Sequence, residues 1–243
     1  MLCMIMASGL FMLWTAQFWN LQAVEIKGAT INTEQYVQTF IENERLQGKH
    51  LLAVNPLVLK KRLEVNPLVK QVTFEREILP AHLTLKVQER LPRYVVYSTL
   101  PLYNKETKKV QVSERDAKIV DAEGIILPLP SKRFEYIGPH FYLKPGLIKA
   151  RLSVEHLNLI RELEALHEKQ LLVHRGVFDI SNPQNLIFYL NDPPLRVWLG
   201  MPEDLLLKMQ LIDSTYKGSG VSESEIEYID LRFWKHPVVK KRT

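Results

Sequence analysis

Cysteine is nearly missing from this chain: Cys3 is the only one among 243 residues. One thiol closes no intrachain disulfide and makes no CxxC pair. A body free of cysteine crosses into an oxidising compartment without mispairing, and it serves equally well in a reducing one. Charge is missing too, but only locally, since Met1 to Val24 contains no Asp, Glu, Lys or Arg. Catalytic signatures are absent along the whole length, with no HExxH, GxSxG, Walker loop or GxGxxG. Gly218-Ser219-Gly220 lacks the preceding strand that a phosphate cradle needs. His156 and His167 would stand roughly 16 Å apart on one helix, too far to share a metal. The acidic residues Asp116 and Asp121, and Glu223 and Glu225, flank turns and read as solvated. Basic residues are not interleaved with aromatics along a strand face, as a nucleic-acid module would require. Repeats and low-complexity tracts are absent as well. These absences leave no catalytic, cofactor or metal residue to assign, and the chain reads as a binding device rather than an enzyme.

What is present begins with the uncharged run. About 18 to 20 residues of Leu, Met, Ile, Phe, Trp and Ala, at about 1.5 Å of rise each, cross a hydrocarbon core of roughly 30 Å. The expectation is a single transmembrane anchor at residues 1–23, with Trp14, Phe18 and Trp19 at its interfacial end. A cleaved signal peptide is the rival, but no Lys or Arg precedes the span and Leu21-Gln22-Ala23 is a poor cleavage site. A core helix of a soluble protein is the third reading.

The following segment has an alternating strand, Val24 to Lys27, ended by Gly28. Asn32 with Gln35 reads as a capping box for a helix burying Tyr36, Val37, Phe40 and Ile41. Asn55-Pro56 opens a second helix, with Val58, Leu59 and Leu63 inward and Asn66-Pro67 ending it. Two alternating strands follow, carrying Val72, Phe74, Arg76 and Ile78, then Leu83, Leu85 and Val87, across a turn at Leu79-Pro80-Ala81. That order predicts a small α+β unit at residues 24–92, two helices on one face of a three-stranded sheet.

Residues 93–234 predict a larger β-rich domain with helices packed on its sheet. Its signals are the turn in Ile119 to Leu127, a helix in Lys149 to Gln170 and strands at Val173–Ile180, Asn185–Asn191 and Leu195–Gly200. A helix from Pro202 to about Tyr216 and a closing strand from Glu225 to Phe233 complete it. Net charge is +5, with Lys235, His236, Lys240, Lys241 and Arg242 forming a basic tail at 235–243 that reads as solvated and frayed.

The closing strand carries the functional expectation. Ile229, Leu231 and Phe233 share one face, and Tyr228, Asp230 and Arg232 share the other. As the last strand it is expected at a sheet edge, where a partner strand could pair with it and Phe233 and Trp234 would anchor it. A plain final strand whose aromatics close the core explains the pattern equally well.

Several motifs carry a family resemblance. Val24-Glu25-Ile26-Lys27-Gly28, then Asn66 to Arg76, Leu83 to Val87 and Glu89-Arg90-Leu91-Pro92, resemble the POTRA domain of the FtsQ/DivIB cell-division proteins. Ile119 to Gly124, Leu186 to Leu190, Val197 to Gly200 and Tyr228 to Phe233 resemble, in order, the β domain of the same family. The resemblance implies a bitopic inner-membrane protein with its bulk outside the cytoplasm, acting at the division septum. It implies a non-catalytic scaffold linking early division proteins to the septal peptidoglycan synthase, without nucleic acid or small-molecule substrate. Its POTRA domain would serve recruitment. Partners similar to FtsB/DivIC and FtsL would dock along Tyr228, Ile229, Asp230, Leu231, Arg232, Phe233, Trp234 and Lys235. Leu100 to Arg115 has no clear counterpart in that family. The competing reading is a POTRA-bearing outer-membrane transport or assembly component, which would need further POTRA units or a β-barrel.

Overall fold

The computed structural model describes residues 19–78, 80–100, 102–104, 109–111, 116–129, 138–172, 175–191, 194–222 and 225–242. The chain divides into two compact units, Met1–Arg90 and Leu91–Thr243. In the first, β1 (Ala23–Lys27), α1 (Ile31–Asn43), α2 (Pro56–Leu63), β2 (Val69–Glu77) and β3 (His82–Glu89) follow in that order. The sheet order is β1-β3-β2, with β1 parallel and β2 antiparallel to the central β3. Alternation in β3 sends Leu83, Leu85 and Val87 into a core that also takes Val37 and Ile41 of α1 and Leu59 and Leu63 of α2.

Three local expectations are corrected here. The N-cap of α1 is Thr30 rather than Asn32, and Glu89 at the end of β3 accepts from the Thr30 N–H at 2.6 Å and from the hydroxyls of Thr30 and Thr33. Val58 is 48 % exposed rather than inward, because at helical spacing it turns away from Leu59 and Leu63. Ile78 lies beyond the end of β2 and is 52 % exposed. The cap of α2 is as read: the Asn55 side chain accepts from the N–H groups of Leu57 and Val58 at 3.0 and 3.4 Å, with Pro56 in the first turn.

The transmembrane helix of the expected fold class is also corrected. Among the described residues, no helix is long and apolar enough to cross a membrane. Residues 1–18 lie outside the described residues. Trp19 to Gln22, read as the end of the span, are part of the first unit instead. Leu21 is 2 % exposed in its core, its N–H bonds Lys49 O at 2.9 Å, and the Gln22 N–H bonds Ala81 O at 2.9 Å. Asn20 bridges His50, and the Trp19 ring stacks on the His50 ring at 6.1 Å. An apolar run has no period to tell lipid from a protein core, and here its last residues satisfy their backbone groups against their own domain.

The second unit is built on one nine-stranded sheet. Its strands are β4 (Pro92–Tyr97), β7 (Ala117–Asp121), β8 (Ile126–Leu127), β9 (His140–Tyr142), β10 (Gly176–Asp179), β11 (Leu186–Leu190), β12 (Arg196–Gly200), β13 (Ile226–Asp230) and β14 (Val238–Lys241). They lie in the order β14-β13-β12-β11-β10-β9-β4-β7-β8. A separate hairpin, β5 (Leu102–Asn104) with β6 (Lys109–Gln111), occupies the segment without a family counterpart. Register aligns one row of apolar residues across seven strands: Val96, Phe141, Phe178, Phe188, Val197, Ile229 and Val239. This row packs with Leu159, Ile160 and Leu163 of α3 (Val154–Glu168) and with Leu205, Met209 and Ile212 of α4 (Leu205–Gly218) in one core. The Asp121 to Gly124 turn is as read: the Asp121 carboxylate accepts from the Glu123 and Ile125 N–H groups, and Gly124 takes φ +83°.

Candidate docking edge

The final residues do not fray. Val238–Lys241 form β14, antiparallel to β13, with Ile229 opposite Val239 and Asp230 opposite Val238. The strand read as the sheet edge is therefore an inner one. Tyr228, Ile229 and Asp230 lie in β13, flanked by β12 on one side and by β14 on the other. Val238 and Val239 were hidden in a basic tail, where two β-branched residues between Pro237 and two lysines make too short a signal. The edge belongs to β14, whose second flank pairs with no strand among the described residues.

The remaining candidate residues fall between the two strands. Leu231 is fully buried, and its N–H bonds Trp198 O at 2.8 Å. Arg232 to Lys235 form a turn, closed by the His236 N–H on Phe233 O at 2.8 Å. Ile229 and Leu231 point into the core as read, whereas Phe233 does not continue their row: the strand has ended, and its ring is 77 % exposed. The Trp234 indole donates to Asp204 Oδ2 at 3.2 Å, and the Lys235 ammonium sits 5.4 Å from the Trp234 ring. Asp204 takes the left-handed φ of +55° where the chain enters α4.

On the face opposite the apolar row, Tyr228, Asp230 and Arg232 come together as the alternation implied. The Tyr228 ring stacks on Trp198 of β12, with centroids 4.7 Å apart and planes 2° from parallel. The Arg232 guanidinium lies 4.4 Å from the Trp198 ring, and the Arg196 guanidinium lies 5.6 Å from Tyr228 and 5.7 Å from Trp198. Asp230 accepts from Arg232 Nε at 3.0 Å, from Nη2 at 2.6 Å and from its backbone N–H at 3.0 Å. Burial works against the Asp230 charge, but the Arg232 side-chain and backbone bonds and the guanidinium charge outweigh it and hold the carboxyl below its ordinary range. The Asp230 bond in turn raises Arg232 above its own.

Lys208 is a residue that sequence reading missed. It is 3 % exposed on the buried side of α4, and its ammonium donates to Leu199 O at 2.9 Å and Met201 O at 2.8 Å, holding the exit from β12. Burial lowers its pKa, against the nearby charges of Asp204 and Glu203. Its position one before Met209 on an apolar helix face was the available signal. Among the described residues, no group of three or more His, Cys, Asp or Glu is arranged to hold a metal ion.

A search of curated proteins finds no match to this chain. Residues 19–90 match the family model described as POTRA domain, FtsQ-type. The FtsQ-type match suggests a cell-division role for the chain. Residues 19–90 are thus similar to an FtsQ-type POTRA domain, and this supports the likeness to the FtsQ/DivIB cell-division proteins carried by the sequence motifs.

Proposed function

We propose that the chain is a non-catalytic scaffold of the bacterial divisome that acts at the division septum. There it links early division proteins to septal peptidoglycan synthesis by taking a strand from an FtsB/DivIC-like or FtsL-like partner. The observation that carries this reading is the end of the sheet. The apolar row from Val96 to Ile229 runs out at Val239, a half-buried residue on a strand whose outer flank has no neighbour among the described residues. A strand added there would continue the ladder of main-chain bonds and bring an apolar side chain beside Val239. Val238, 56 % exposed, and Phe233, 77 % exposed, flank that edge as apolar anchors. The docking line is accordingly β14 together with the 232–235 turn, while Tyr228, Ile229 and Leu231 support it from within.

The test is capture of a purified FtsB/DivIC-like protein from the same organism by the full chain. Truncating an exposed aromatic anchor costs on the order of 2 kcal/mol, so Phe233→Ala should weaken capture about 30-fold. Val238→Glu, at the same edge, should weaken it as well, and both side chains are exposed enough for the variants to fold. Equal capture by wild type and both variants would place the partner elsewhere. Midcell enrichment of a fluorescent fusion late in constriction tests the cellular role.

A further inference from the structure

We propose that Trp198 is a positioning residue for the docking edge, acting through Arg232 to fix the turn that projects Phe233 and launches β14. The proposal rests on the docking reading above and adds a residue outside the docking line.

Phe233 is the most exposed aromatic of that line, at 77 %. Its direction is set by the residue before it. Arg232 is held by β12 at both ends of its side chain. Its guanidinium lies against the Trp198 ring at 4.4 Å. Its stem crosses Gly200, where a Cβ would stand 2.9 Å from Arg232 Cγ and 3.3 Å from its Cβ. Gly200 also takes φ +70°, so both the space and the backbone angle there call for glycine. The Asp230 carboxylate fixes the same guanidinium through Nε and Nη2. The indole also stacks on Tyr228, with centroids 4.7 Å apart and planes 2° from parallel, so that ring helps to hold it in place. The main chain is tied at the same place, through the Leu231 N–H on Trp198 O.

Folding alone does not explain the indole. Its N–H is buried without a hydrogen-bond partner, a cost that a Phe would not carry. What the larger ring adds is breadth, since it touches Tyr228, Arg196 and Arg232 at once. A pre-aimed side chain loses less entropy when a partner arrives, so the effect belongs to binding and to the order of the turn.

The experiment compares wild type, Trp198→Ala and Trp198→Phe in the full chain. Amide exchange is followed in the free protein, and dissociation is followed from the immobilised FtsB/DivIC-like protein. With an exposed cation–π contact removed, Trp198→Ala should exchange and dissociate about two- to fivefold faster, with the faster exchange confined to residues 232–241. Trp198→Phe keeps a ring between Tyr228 and Arg232 and should recover most of both effects. Unchanged exchange at 232–241 in Trp198→Ala would overturn the inference. So would acceleration spread equally over 186–190, which would make Trp198 mere core packing. If wild type captures no partner, the docking reading falls, and the exchange measurements alone decide the role of Trp198.

Discussion

Glu89 closes the first turn of α1 from the far end of β3, accepting from the Thr30 N–H and the hydroxyls of Thr30 and Thr33. The cap sits 59 residues from the helix it serves, so a search for a local box beginning at Asn32 misses it. The opposite holds for Asn55 and Asp121, whose partners lie two to four residues away and whose roles were legible for that reason. Asp230 carries a prediction at this scale. Its carboxyl is held below the ordinary range in the folded chain, so the unfolded chain binds its proton first as pH falls. The stability it contributes is complete above the unfolded value of about 3.9 and is lost as pH drops through the lowered folded value. Asp230→Asn should remove that part of the acid dependence, read as slower loss of amide protection at 232–241 between neutral and acid pH in the variant than in wild type. Identical acid profiles would show that the Arg232 contact adds nothing.

At the scale of elements, β12 and α4 together define the loop that holds the docking turn. Lys208 is the joint between them. Its ammonium satisfies two carbonyls at the exit of β12, while Asp204, the residue just before the first turn of α4, receives Trp234. Lys208→Met keeps the length and loses both bonds. Hydrogen bonds to a charged group are worth roughly 1.5 to 3 kcal/mol, and relief of the buried charge offsets part of that, so a net loss of about 1 to 2 kcal/mol is expected. The denaturant midpoint of the second unit measures it, and a midpoint at or above the wild-type value would show that burying the charge costs more than the bonds return. Helix periodicity reads Leu205, Leu206, Met209 and Ile212 as inward, and of these Leu205, Met209 and Ile212 are buried while Leu206 is only half-buried. Periodicity also classes a lysine as solvent-facing by chemistry alone. Only the neighbouring carbonyls make the buried position tenable.

At the scale of the whole molecule, each unit has its own apolar core, one around Leu83, Leu85 and Val37 and one around Phe141, Phe178 and Phe188. Removal of residues 237–243 therefore addresses the second core only. It uncovers the flank of β13 and deletes the outer edge, so partner capture should be lost, while amide exchange in α1 and β3 stays at wild-type rates. Capture that survives the deletion would show that β13 itself is the docking strand. Loss of protection in α1 and β3 would show that the deletion destabilises the first core as well.

By itself, the order of short-range signals determined the α+β character, the strand-helix-helix-strand-strand unit, the turn at Asp121 and the alternation that places Tyr228, Asp230 and Arg232 on one face. These depend on period and on partners a few residues away, which any reader of the chain can count. Tertiary structure alone decided where the sheet ends and what the uncharged run becomes at Leu21. It also supplied the cap on α1 and the place of Lys208. Pairing β14 to β13, burying Leu21 and bringing Glu89 to Thr30 are each settled by contacts between segments distant in sequence. Such contacts form only when the loop closed between them is repaid by the core it completes.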